Sequence, residues 1–165
     1  MLMFHFIKRE LESIFVHKFS NASMPFFRVF INSSHYWILN GVLIGYFLFH
    51  PLYFSPLQNY PIASIFLVIL FFVSELMNFC CHIILRNLRK NSQGEKGIPH
   101  GFGFGYVSCA NYFWETLAWI FFSVLTSCLT SYLFLIVSLA QMTSWALKKH
   151  SLYIKEFNGK EGKQK

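Results

Sequence analysis

A chain of 165 residues that is 55% hydrophobic and 20% aromatic, with only 13% charged residues, carries more apolar surface than a soluble domain of its size can bury. Its formal net charge of +7 falls in three clusters outside the apolar runs, at residues 8–28, 86–96 and 148–165. Membrane topology accounts for that arrangement more simply than a nucleic-acid-binding face does, and the class is a polytopic membrane protein.

The chain opens on an amphipathic segment. His5, Lys8, Arg9 and Glu12 alternate with Phe4, Ile7, Leu11 and Phe15 at spacings of three and four. This predicts a helix that is either interfacial or the tail of a span beginning upstream. No cleavable signal is expected, because the first apolar stretch is short and lacks a small-residue cleavage site. Four spans follow, over about residues 36–52, 62–85, 106–126 and 129–147. Each approaches the ~20 residues needed to cross a hydrocarbon core of ~30 Å. The 54–61 loop and the 127–128 turn hold no Lys or Arg, whereas the other loop and both ends do. The positive-inside rule then puts both termini and the 86–100 loop in the cytosol. Trp37, Tyr53, Tyr60, Trp145 and Tyr153 lie near span ends, where an interfacial aromatic belt accounts for them. Cys80, Cys81, Cys109 and Cys128 fall in or beside apolar runs without zinc-ligand spacing and read as buried small hydrophobes; no metal site is expected. The expected fold is all-α, a membrane bundle of about four transmembrane helices plus the N-terminal amphipathic helix. It forms one domain over residues 1–157, with a disordered Gly- and Lys-rich tail at 158–165.

The second span carries the most pointed pattern. Glu75, Asn78, His82 and Arg86 fall at i, i+3, i+7 and i+11, one stripe of a helix, with Arg89 beyond. Polar groups in a membrane helix are costly and usually face an internal cavity. The stripe is either a buried site for a polyanionic ligand or a helix with two snorkelling arginines and a few interhelical hydrogen bonds. The loop at residues 98–105 spaces its glycines as G-x-G-x-G, which is not a dinucleotide-binding G-x-G-x-x-G, and reads as a flexible loop at the membrane surface. Asn111, Tyr112 and Glu115 cluster at the cytosolic side of the third span. A carboxylate there needs a partner, which a ligand amide, a ribose hydroxyl, an Arg or a neighbouring helix would provide. Lys148, Lys149 and Lys155 extend the fourth span into the cytosol, as phosphate ligands or as topology determinants.

Together these blocks resemble the very-long-chain trans-2-enoyl-CoA reductases, within the steroid 5α-reductase-like membrane enzymes. The matching residues run from His5 to Phe19, through Met24-Pro25, Tyr36-Trp37 and His50-Pro51-Leu52-Tyr53, to Asn78, His82 and the 85–89 Leu-Arg-Asn-Leu-Arg run. They continue with Val107 to Glu115, Gln141 to Trp145 and Lys149 to Phe157. His82 favours the enoyl-CoA branch, since the steroid branch more usually places an Asp there. The resemblance implies a multi-pass protein of the endoplasmic reticulum membrane with an NADPH site facing the cytosol. It implies a long-chain trans-2-enoyl-CoA substrate, a lipid environment, and other fatty acid elongation enzymes as partners. By motif position, Asn78, His82, Arg86, Arg89, Asn111, Glu115 and Tyr153 resemble the cofactor-binding set. Phe6 stands where many relatives place a Tyr, so the acid or electrophile falls to Tyr112 first and Lys8 second, with His5 behind them. Relatives carry further segments at both ends, and the expectation is a fragment, a truncated gene product or a reduced paralogue. A steroid or polyprenol enone reductase, or a non-catalytic membrane paralogue, are the other readings.

Overall fold

The computed structural model describes residues 1–17, 25–91 and 97–157. The tail expected to be disordered, residues 158–165, lies outside them, as do Lys18, Phe19 and Met24 of the quoted blocks and the basic residue Lys96.

The fold is all-α, with no strand among the described residues. Helix α1 (Leu2–Leu11) widens into a π-helical turn, Glu12–Val16. A second helical rod is built of α2 (Phe27–Ser33), a π-helical stretch (Ser34–Ile44) and α3 (Gly45–Leu48). After a 3₁₀ turn at Pro56–Asn59 come α4 (Pro61–Asn91), α5 (Ala110–Thr126) and α6 (Leu129–Phe157). The rod begins at Phe27 rather than near residue 36, and α4 and α6 run past the expected ends of their spans. Their charged last turns keep helical propensity while leaving the apolar core of the membrane.

Among the described residues two helices are long and apolar enough to cross a membrane, Pro61–Leu88 and Leu129–Lys155, whose most apolar stretches have mean hydropathy 2.2 and 1.3. Helix α5 is shorter, its 17 residues making a rod of about 26 Å. It starts at Ala110, not residue 106, because the glycine-rich loop holds residues 101–109 in turns.

Helices α4 and α5 form the most extensive pair in the molecule. Ser74, Cys81, Ala110, Ala118 and Ser123 are all buried, the small residues that let membrane helices approach closely. A core of Ile44, Phe71, Ala118, Trp119, Phe122 and Phe134 joins the rod to α4, α5 and α6. At the uncharged end, Ser127 takes a left-handed φ of 47°, and its N–H caps α5 on the Ser123 carbonyl at 2.8 Å. Two other C-terminal carbonyls of α5 accept from the 49–60 loop: Thr126 from the Tyr53 hydroxyl at 2.6 Å and Leu125 from Ser55 at 3.0 Å. Tyr53 thus has a structural bond beyond its expected belt position. Cys81, Cys109 and Cys128 are buried, Cys80 is half-buried, and all four are free thiols.

Candidate functional site

Helix α1 is amphipathic in the inverted sense. Its apolar residues Met3, Phe4, Ile7, Leu11 and Phe15 are exposed, whereas His5 and Glu12 are 3% and 1% exposed. The polar stripe at positions 5, 8, 9 and 12 has the i, i+3, i+4, i+7 spacing of a packing face, and it packs on α4. An interfacial helix would turn that face to water, so the interfacial alternative does not hold for the polar face.

The two polar stripes meet in one charge-balanced cluster. Glu75 Oε1 lies 2.8 Å from His5 Nδ1, and its Oε2 lies 2.8 Å from Lys8 Nζ. Lys8 also donates to Asn78 Oδ1 at 2.6 Å and to the Glu75 carbonyl at 3.3 Å. One turn on, Glu12 Oε2 is shared by His82 Nδ1 at 3.0 Å and Arg9 Nη1 at 3.2 Å, while Oε1 lies 3.4 Å from Lys8. Arg9 Nη1 is 3.5 Å from His82 Nε2. His82 thus turns one ring nitrogen to the Glu12 carboxylate and the other to the Arg9 guanidinium. Two carboxylates thus offset Lys8 and Arg9, the condition under which charges persist inside a membrane protein. His17 stands edge-on to His82, with ring centroids 4.8 Å apart, and Glu12, His17 and His82 bring three donor atoms within 4.8 Å. The same carboxylate is ion-paired with Arg9 at 3.2 Å and Lys8 at 3.4 Å.

Beside the cluster lies a cavity of about 650 Å³, walled by α1, the rod, α5 and α6. His5, Arg9, Tyr36, Tyr112, Glu115 and Trp119 supply much of the polar and aromatic part of its lining. Tyr112 stands against Trp145, ring centroids 6.1 Å apart, and Lys149 Nζ sits 5.6 Å over the Tyr112 ring. Concave sites of this size with a few convergent polar groups are where small ligands bind.

The expected site residues divide between the two features. Tyr112 and Glu115 line the cavity. Lys8 does not line it; it is buried among acceptors. Asn78 and His82 direct their polar atoms into the protein, Asn78 donating to the Asn111 carbonyl at 2.8 Å and His82 facing Glu12 and Arg9. The Asn111 side-chain oxygen is buried with no hydrogen-bond partner among the described residues. Arg86 is exposed, although Glu75, Asn78 and His82 on its stripe are buried. The described part of the N-terminal segment ends at His17, level with His82, so it covers no turn of α4 beyond that. Tyr153 is half-buried on α6 and does not line the cavity, and the Arg89 side chain lies outside the described residues. Arg9, Glu12 and Tyr36 join the site only through the fold. The polar stripe at packing spacing on α1 is the sequence signal for the first two.

The glycine loop is tied down. Gly101 and Gly103 take φ of 87° and 102°, and the Phe102 carbonyl between them accepts from Trp114 Nε1 at 2.8 Å. A Cβ on Gly103 would sit 3.3 Å from Ala110 Cβ at the start of α5. The loop therefore fixes the entry of the helix that carries Asn111, Tyr112 and Glu115.

An all-helical membrane fold with a charge-balanced interior beside a polar-lined cavity defines a polytopic membrane protein with a buried polar centre. The chain matches the 3-oxo-5-alpha-steroid 4-dehydrogenase family over residues 22–164 and belongs to that family. It is 46% identical to the very-long-chain enoyl-CoA reductase of Dictyostelium discoideum, across 98% of this chain and 52% of the relative. A Schizosaccharomyces pombe relative that carries an enoyl reductase name is also 46% identical, across 95% of this chain and 53% of its own length. The human trans-2,3-enoyl-CoA reductase-like protein is 32% identical across 93% and 43%. The chain thus spans about half the length of the relatives it matches.

Proposed function

We propose that this chain is the membrane catalytic part of an NADPH-dependent enoyl-CoA reductase, which saturates the trans-2 double bond of a long-chain acyl-CoA at the end of an elongation cycle. The observation that carries the reading is the cavity that gathers Tyr112, Glu115 and Arg9 beside a buried ionic cluster. The names of the relatives support it. The setting is the endoplasmic reticulum membrane, with both termini cytosolic and other elongation enzymes as neighbours.

The residues present fit a nicotinamide nucleotide. Glu115 has acceptors for ribose hydroxyls, and the unpaired Asn111 oxygen can accept from a carboxamide. Arg86 and Arg89 would hold phosphates bidentately, Arg86 being exposed toward the end of α4 and Tyr153 lying on the neighbouring cytosolic extension. Asn78 and His82 would act from behind, holding Lys8, Arg9 and Glu12. When bound, NADPH supplies the hydride that adds to the β-carbon of the enoyl thioester. Negative charge then develops on the thioester oxygen, and a proton must reach the α-carbon. Tyr112, one of the cavity's hydroxyls, is the proposed donor, and bulk water reprotonates it from the cytosolic side.

The test is conversion of trans-2-hexadecenoyl-CoA with NADPH by membranes carrying this chain. Saturated product is expected, and Tyr112→Phe should lower its rate roughly 10²–10⁴-fold. Turnover of a steroid or polyprenol enone in place of the thioester would replace the substrate. No turnover of either, with or without the remainder of a relative supplied, would leave a non-catalytic paralogue.

A further inference from the structure

We infer that Arg9 is the group that holds the substrate's thioester oxygen as it becomes an oxyanion, and that Glu12 and His82 are positioning residues that aim it. This role deepens the reductase reading above and rests on it.

Arg9 is the one Lys or Arg in the cavity lining among the described residues. Lys8, one residue earlier, has three N–H donors and four acceptor atoms around them, from Glu75, Asn78 and Glu12. Its side chain is 11% exposed, is committed to Glu75, Asn78 and Glu12, and does not line the cavity. The Arg9 side chain is 31% exposed. Only its Nη1 is hydrogen-bonded among the described residues, to Glu12 at 3.2 Å with His82 Nε2 at 3.5 Å, while the Glu115 carboxylate in the same cavity wall also attracts its charge. A guanidinium has five N–H donors in a rigid fork, so fixing one arm leaves the other edge presented as a unit.

The anchor is itself over-determined. Glu12 is 1% exposed and opens the π-helical turn that follows α1. His82 on α4 and Lys8 on the preceding turn are its ion-pair neighbours, 3.0 Å from Oε2 and 3.4 Å from Oε1. A π-turn is a common way of re-aiming a side chain at a functional site. Held at Nη1, the guanidinium cannot swing out along the polar stripe.

The chemistry balances with this assignment. Hydride addition at the β-carbon moves the π electron pair toward the α-carbon and the thioester oxygen, giving an enolate. Arg9 stabilises that oxygen through N–H donation without giving up a proton, since a guanidinium stays charged in proteins. The Tyr112 hydroxyl gives one proton to the α-carbon, the C=O re-forms, and water returns one proton to the tyrosinate. One hydride and one proton are consumed per saturated acyl-CoA. The same N–H donors could hold a phosphate of CoA or of the nucleotide, and the experiment separates these sources.

The full chain in membranes is labelled with phenylglyoxal, an arginine reagent, and modification of Arg9 is read by peptide mass spectrometry with exposed Arg28 as internal reference. Hexadecanoyl-CoA is expected to protect Arg9 at least about fivefold, and coenzyme A or NADP⁺ alone to leave it reactive. Protection by coenzyme A or NADP⁺ alone, or by nothing, overturns the inference. In turnover, Arg9→Gln should lower kcat by about 10²–10³-fold with KM for the enoyl-CoA little changed, and Arg9→Lys should restore part of it. Glu12→Gln should fall between, with the loss in kcat. A raised KM at unchanged kcat overturns the assignment. If no form turns over while hexadecanoyl-CoA still protects Arg9, the reductase reading fails and the ligand contact stands.

Discussion

Glu75 is 2% exposed near the middle of a membrane helix, with His5 on one oxygen and Lys8 on the other. A charge so placed is kept only by its partners, and removing one partner leaves the other buried and uncompensated, at a cost of about 3–5 kcal/mol. Glu75→Leu should therefore lower the thermal midpoint of the detergent-solubilised protein substantially, and so should Lys8→Met. The double variant Lys8→Met with Glu75→Leu should recover part of the loss, because an apolar pair needs no compensation. Strictly additive losses would show that the two side chains do not share one interaction. At this scale the sequence declares half of the site. Glu75, Asn78 and His82 stand out because polar residues inside an apolar run have no other reason to be there. Arg9 and Glu12 are concealed because the same residue types in a terminal amphipathic segment are ordinary. The charge of Lys8 serves the ionic cluster, and no spacing rule reveals that without the partner helix.

The helices themselves are legible in the sequence, and their ends and connections are not. Apolar runs locate the rod, α4, α5 and α6, since length and hydropathy are properties of one segment. The π-helical stretch over Ser34–Ile44 packs against α6 and leaves no mark in composition. The G-x-G-x-G spacing suggests a flexible loop, yet its turns are stitched to α4 and α5 through Cys81 and Trp114, whose contacts fall on the Phe102 carbonyl. This supports a paired test. Gly103→Ala forces a side chain into φ 102° and against Ala110, and should destabilise by about 1–3 kcal/mol and reduce any ligand binding at Tyr112 and Glu115. Gly105→Ala meets nothing within 4 Å and has no left-handed φ, so it should be silent in thermal denaturation. Equal effects of the two would mean that the loop does not position α5.

For the molecule as a whole, the inverted α1 constrains how the chain must sit. A helix with Met3, Ile7, Leu11 and Ile14 outward and its charges inward is stable only where the outside is apolar. An apolar surround therefore reaches around α1 as well as α4 and α6, and the charged ends of α4 and α6 mark one water-facing side. Sealed vesicles with the cytosolic face outward test this with single cysteines on a background free of the native four. A membrane-impermeant maleimide should label Ser151→Cys, exposed on the extension of α6, in intact vesicles. Phe54→Cys, 72% exposed in the uncharged loop, should label only after permeabilisation. Ile7→Cys, 55% exposed in the fold, should label in neither state, because an apolar surround rather than water covers it. If Ile7→Cys reacts as fast as Ser151→Cys, α1 lies in water with an apolar face uncovered. The buried ionic cluster would then open toward the aqueous phase, and the low-dielectric surroundings that make Arg9 effective would be absent.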